Sequence, residues 1–176
     1  IGVKTDPDSM YFSWDVGYGT PFEEKPQRGF QTSDEGFISC GSGGNDFAND
    51  ILIIKIDGQG NLAWQQQFGK ANQKSDIGYD CIEVEDGIIV AGAKTAESST
   101  KQERWLAKLD KSTGSMLWEK YFPIDQLGQE QRSDFVADAI HEILLGSDGM
   151  LYATGYLGAE QLGFAFMAQG GTSFLM

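Results

Sequence analysis

The sequence predicts an all-β chain assembled from repeated four-stranded units. Three observations carry that expectation. Short β-rich runs recur between Gly- and Asp-containing turns, a set of anchor residues returns about every 50 positions, and few segments show a helical period.

The anchors come in a fixed order. Lys4-Thr5-Asp6 is followed by Trp14, Lys55-Ile56-Asp57 by Trp64, and Lys108-Leu109-Asp110 by Trp118. The lysines lie 51 and 53 residues apart and the tryptophans 50 and 54; Phe174, 56 residues after Trp118, reads as a degenerate fourth member. A second anchor is an Asp-Gly or Glu-Gly turn leading into a strand that ends in glycine. It occurs at 34–41, 85–92 and 147–155, closing on Gly41, Gly92 and Gly155. A third pairs Asp80-Cys81-Ile82 with Asp138-Ala139-Ile140.

Within one full unit the strands are expected at 79–84, 88–93, 104–109 and 116–122, joined by a tight Asp86-Gly87 turn, a polar loop and a turn at 110–114. Ile51-Leu52-Ile53-Ile54 is continuously apolar, as a strand covered on both faces should be. Four strands in about 50 residues, repeated, is the sequence pattern of a β-propeller, whose blades cover one another's faces. The expected blades are 28–69, 76–122 and 134–176, preceded at 1–20 by the end of another. Trp14, Trp64 and Trp118 are expected to fill the wedges between blades, each burying ~150–250 Å². Asp57, Asp110, Gly41, Gly92 and Gly155 are the other structural anchors. Lys4, Lys55 and Lys108 are expected to pair locally with acids or backbone carbonyls. About three and a half blades fall short of the ~4–8 of a closed ring. The 176 residues therefore read as a processed or partial piece, with the rest of the ring supplied by further sequence or another chain.

Composition narrows the function. With 13 basic and 26 acidic residues the formal charge is −13, and no basic patch interrupts it, which argues against nucleic acid. No apolar run approaches the ~18 residues of a membrane-spanning helix. Hydrophobic residues at 40% and aromatics at 12% suffice for a core. Cys40 and Cys81 show no metal-site spacing; they read as two buried thiols or as one disulfide between neighbouring sheets, the latter implying an oxidising compartment.

Individual motifs mostly reduce to structure. Gly58-Gln59-Gly60-Asn61-Leu62-Ala63 matches a dinucleotide fingerprint, but a β-rich Trp64 segment follows instead of the required helix, so a hairpin turn is expected. Asp57, Gln59 and Asn61 begin like a calcium loop, yet Leu62 and Phe68 stand where an EF-hand needs Gly and Glu. A looser calcium site from Asp46, Asn49 and Asp50 stays open. His141 is the single histidine, without a Gly-x-Ser-x-Gly elbow, and reads as structural or exposed. Asp80 and Asp138, matched in successive first strands, could form a glycosidase pair, but their periodicity favours hydrogen bonding within each blade.

The run from Asp50 to Trp64, with its Lys-x-Asp strand end, Gly/Asn turn, Trp and the following Phe68-Gly69, resembles secreted bacterial-type β-propeller repeats. The run from Leu109 to Trp118 looks like the tryptophan-docking motif of quinoprotein propellers. The resemblance implies a propeller and an extracellular or cell-surface setting. Quinoprotein dehydrogenases hold pyrroloquinoline quinone and calcium, usually beside a vicinal disulfide, and no adjacent cysteines exist here. The reading is therefore a non-catalytic scaffold or interaction module without a cofactor. It would bind a protein or glycan through the 41–50, 94–103 and 123–134 loops, with Asp46, Asn49, Asp50, Glu97, Glu103, Asp125 and Glu130 as candidate contacts. The alternatives are a fragment of a propeller enzyme, either a glycan-active hydrolase or a quinoprotein, and a self-assembling filament or coat component.

Overall fold

The computed structural model of the chain describes residues 3–5, 12–44, 49–69, 75–96, 102–122, 136–161, 168–169 and 172–176, with the backbone alone at 3–5, 12–15, 136–137, 158–161, 168–169 and 172–175. Among the described residues there is no helix. Strands β1 (Val3–Thr5) and β2 (Phe12–Asp15) pair antiparallel. Strands β3 (Lys25–Gln31), β4 (Phe37–Gly43), β5 (Asp50–Ile56) and β6 (Leu62–Phe68) form a four-stranded antiparallel meander. Strands β7 (Ile77–Val84), β8 (Gly87–Thr95), β9 (Gln102–Leu109) and β10 (Met116–Phe122) form a second.

A third unit follows, with β11 (Val136–Leu145), β12 (Leu151–Gln161), β13 (Ala168–Gln169) and β14 (Thr172–Leu175). Strands β13 and β14 share one register on β12, Glu160 facing Gln169 and Thr154 facing Leu175. Sequence spacing separates the second and third units, but a parallel bridge between Ala137 and Gln102 fuses them into one eight-stranded sheet.

Why the strands lack polar alternation is clearest in β8, where all nine residues are buried. Ile88 and Val90 point into a cluster with Ile38, Cys40, Ile51, Ile53, Trp64 and Trp105. Ile89 and Ala91 point the other way, against Leu106, Ile140, Ile143 and Ala153. Successive residues of a strand face opposite sides, so a strand sandwiched between two neighbours must be apolar throughout. Each buried Ile, Leu or Val contributes about 1.5–3 kcal/mol.

The turns repeat in geometry as well as in sequence. Thr32 N donates to Gly36 O and Glu35 N to Thr32 O; Gly146 and Gly149 repeat this with Met150, and Asp57 and Gly60 with Asn61. This is a turn closed by one left-handed residue. Gly60 (φ 87°) and Gly149 (φ 78°) suit that place, whereas Glu35 holds it at φ 65° without glycine's freedom.

The glycine anchors have one shared explanation. Gly41 faces Pro26, Gly92 faces Gly78 and Gly155 faces Ile140, and in each case the register then slips by one residue, a β-bulge in the first strand. The bulge drives the first strand's backbone toward the second. A Cβ on Gly41, Gly92 or Gly155 would overlap the carbonyl oxygen of Lys25, Ile77 or Ala139 respectively.

The same registers correct two expectations. Trp64 and Trp118 stand on fourth strands, but Phe174 lies on β14, a third strand, opposite Gly155. Its counterparts are Leu52 opposite Gly41 and Trp105 opposite Gly92, so it is not the fourth member of the Trp series. Likewise Ala139 (facing Tyr156) matches Ile77 (facing Ala93), so Asp138 corresponds to Asp76 and Asp80 to the exposed Glu142. The Asp-x-Ile likeness of the two strands is offset by four residues from their bulges.

Two glycine substitutions separate packing from conformation. In urea unfolding, Gly92→Ala is expected to cost about 3 kcal/mol through its backbone overlap. Gly149→Ala, with nothing within 4 Å of an added Cβ, should cost about 1 kcal/mol for the left-handed backbone alone. Glu35→Gly should stabilise by about 0.5–1 kcal/mol; equal costs for the two alanine variants would contradict the bulge account.

Candidate functional site

The bulges bring chemistry-bearing side chains of successive first strands side by side. Tyr79 and His141 occupy equivalent bulge positions on β7 and β11, and their rings stack with centroids 4.6 Å apart and 27° between planes. The Tyr79 hydroxyl lies 3.2 Å from that of Tyr156. Burial raises the pKa of both phenols, so both are neutral near pH 7. Among the described residues no serine or carboxylate is hydrogen-bonded to His141, so no catalytic triad forms there.

Next to this stack, Asp80 joins three units. One carboxylate oxygen accepts from its neighbour's backbone, Cys81 N at 2.9 Å, and the other from Ile143 N of β11, also at 2.9 Å. Arg28 of β3 reaches it at 3.5 Å. A carboxylate with each oxygen held by a backbone N–H group from a different strand acts as a clamp between those strands.

Sheet-to-sheet docking is carried by Trp64. It is 7% exposed, its Nε1 donates to Lys111 O at 2.9 Å, and Gln66 Nε2 donates to Thr113 O at 3.1 Å. Its ring packs on the Cα of Gly114, which adopts φ 71° in the β9–β10 turn. Trp118 corrects the expectation of a buried wedge: it is 36% exposed, with Lys120 Nζ 5.6 Å above its ring. Among the described residues no third-to-fourth-strand turn of the third unit lies beside it. The Trp14 side chain lies outside the described residues. Sequence reasoning overlooked Trp105, fully buried and bonded through Nε1 to Glu119 at 2.8 Å; its counterpart is Leu52, so the repeat gave no signal for it.

The Asp and Lys anchors act within turns. Asp57 accepts from Gln59 N and Asn61 N, and Asp110 from the backbone and hydroxyls of Ser112 and Thr113; hydrogen bonds to Asn61 and Ser112 lead the lowering of their pKa values. Lys55 is buried and bonded to Asp34 at 2.9 Å, and Lys108 to Asp86 at 2.6 Å. Burial opposes ionisation of Asp34, yet its bonds from Thr32, Lys55 and Gly36 outweigh it and bring the pKa down to about 2.

Of the loop candidates, Asp46, Glu97, Asp125 and Glu130 lie outside the described residues. Glu103 is not a loop residue: it belongs to β9, opposite Lys94 of β8, because both strands extend further than the polar sequence suggests. Asp50 begins β5 with Asn49 just before it, and the structure adds a partner the sequence did not suggest. Asp76 N donates to Asn49 O at 2.7 Å, bringing Asp76 beside Asp50. Asp76 is fully buried, one oxygen bonded to Thr95 N and Oγ1 and the other without a partner. Burial, augmented by Asp50 and moderated by Thr95 and Lys94, raises its pKa to about 7. Lys94 itself bonds Glu119 and Tyr121, each at 2.9 Å. Among the described residues no three His, Cys, Asp or Glu side chains converge on a metal position.

Cys40 of β4 and Cys81 of β7 are free thiols, buried and within hydrogen-bonding reach of each other; burial first and then Cys81 push the Cys40 thiol well up. Held up in this way, the Cys40 thiol is a poor nucleophile. A groove of about 1100 Å³ lies on the outer face of β3–β5, floored by Leu52, Ile54 and Ile56 and edged by Tyr18, Glu24 and Arg28. The equivalent face of the second sheet, Trp105, Ala107 and Leu109, is fully covered by the first sheet.

Two outcomes follow. Trp64→Ala is expected to cost about 3–5 kcal/mol in thermal unfolding, and Trp118→Ala, already exposed, about 1 kcal/mol or less. In EDTA, stability to urea should rise as pH is lowered from 8 to 6. Asp76 takes up its proton near pH 7 when folded but near its ordinary 3.8 when unfolded, so the folded state binds more protons in this window. Asp76→Asn should remove that slope; a slope unchanged in the variant would place its origin elsewhere.

No family model matches the chain, and no curated protein matches it in sequence.

Proposed function

We propose that the chain is part of a β-propeller that serves as a non-catalytic scaffold or interaction module of a secreted or cell-surface protein, presenting its inter-strand loops to a protein or glycan partner. The observation that carries this reading is the unit-to-unit docking, in which Trp64 of one meander seats on Gly114 and the Lys111 carbonyl of the next. The Asp80 clamp between first strands supports a common axis for the units. The groove over Leu52, Ile54 and Ile56 has the character of a face awaiting a preceding blade, from the same chain or another. No helix is long and apolar enough to cross a membrane, among the described residues.

The scaffold reading draws on the bonding of the acids. Asp80 is held by backbone donors, and repeat acids such as Asp57 and Asp110 close turns. Stable folds with fixed strands and variable loops place recognition on the loops.

The test is binding against turnover. The immobilised protein is screened against an oligosaccharide array and against extracellular proteins from its source, and the hits are checked for cleavage. Substitutions at 45–48 and 97–101 should weaken binding at least tenfold while leaving the melting temperature unchanged. Turnover of a glycoside that disappears in Asp138→Asn would instead establish an enzyme. A mass that multiplies with concentration in light scattering would establish self-assembly through the open faces.

A further inference from the structure

The junction of β5 with the start of β7 holds an electrostatic arrangement that the scaffold reading does not use. Asp76 is fully buried, and its Oδ2 has no hydrogen-bond partner; Asp50 Oδ1 is likewise shielded from solvent and without one. The hydrogen bond from Asp76 N to Asn49 O puts the two aspartates on adjoining backbone. Asp50 Oδ2 accepts from Gln67 Nε2 and Asp76 Oδ1 from Thr95, so each carboxylate keeps one buried oxygen without the donor that normally stabilises it, while the Asp50 charge raises the pKa of Asp76. Lys94 is near enough to lower the pKa of both, but its ammonium is hydrogen-bonded to Glu119 and Tyr121 rather than to either aspartate.

We propose that Asp50 and Asp76 form a site for a divalent metal ion of the calcium type, bridging the first and second meanders. The surroundings are hard oxygen: the Asn49 carbonyl, the Ser75 hydroxyl that accepts from Asn49 N at 3.4 Å, and the Thr95 hydroxyl that bonds Asp76 at 3.0 Å. Ca²⁺ takes 6–8 oxygens in flexible geometry, mixing carboxylates with carbonyls and water. A dication between the two carboxylates satisfies both orphaned oxygens and cancels their like-charge repulsion. Carboxylate, carbonyl and hydroxyl oxygens suit a hard cation rather than zinc, which favours imidazole and thiolate. Asp46, named with Asn49 and Asp50 from the sequence, lies outside the described residues and has no part in the argument.

The experiment uses the whole chain stripped with EDTA, then titrated with CaCl₂ at pH 7.5 by calorimetry and by melting temperature, against NaCl of equal ionic strength. Saturable binding near one ion per chain is expected, with a rise of several degrees in melting temperature, both lost in Asp76→Asn. Asp50→Asn should weaken the affinity at least tenfold and provides the test if the first variant fails to fold. A non-saturating rise that persists in both variants would be general screening of an acidic protein and would overturn the site. Stabilisation by lowering pH alone, with CaCl₂ without effect, would show that the two aspartates share a proton instead and would equally overturn it.

Discussion

A sheet with two apolar faces cannot stand alone in water, and this constraint governs the molecule. In β8 every residue is buried, with alternate side chains committed to opposite neighbours. Removing either neighbour would expose either Ile88 and Val90 or Ile89 and Ala91. The units are therefore interdependent, each covered by those beside it. What a closed hydrophobic core does for an ordinary domain is done here by stacking.

Stacking of apolar faces is permissive about rotation and sliding, and the polar contacts remove that freedom. The bulges opposite Gly41, Gly92 and Gly155 bend each first strand at the same place. This lets Asp80 bond the backbone of β11 while Arg28 approaches from β3. Trp64 fixes the other edge, its indole N–H finding one carbonyl on the next unit's turn. A directional hydrogen bond at each edge of a greasy interface sets register, although each bond contributes only about 1 kcal/mol net.

Much of this architecture was legible in the sequence, because periodic features leave periodic traces. Continuous apolar runs marked strands covered on both sides, and Gly58 to Ala63 was readable as a turn once Trp64 was aligned with Trp118. The errors arose where periodicity in letters and periodicity in space differ. Asp80 and Asp138 share a local motif, but bulges define equivalence, and a bulge has no single-residue signature. Counting residues places Phe174 in the Trp series, while its partner across the sheet is Gly155. Trp118 was expected to be buried because burial was inferred from the repeat, whereas burial depends on what lies alongside. The Asp50–Asp76 juxtaposition was invisible because it links a strand start to a residue 26 positions away through one backbone hydrogen bond.

The Trp64 seat on Gly114 has a consequence for how the molecule opens. Interior interfaces of a stacked array are sealed on both sides, so amides of β8 and β9 should be the last to exchange with deuterium. Those of β3, flanked by the groove, and of β10, with its exposed Trp118, should exchange earlier through fraying. Local opening would then begin at uncovered faces, and any unit that covers one would slow attack by proteases there.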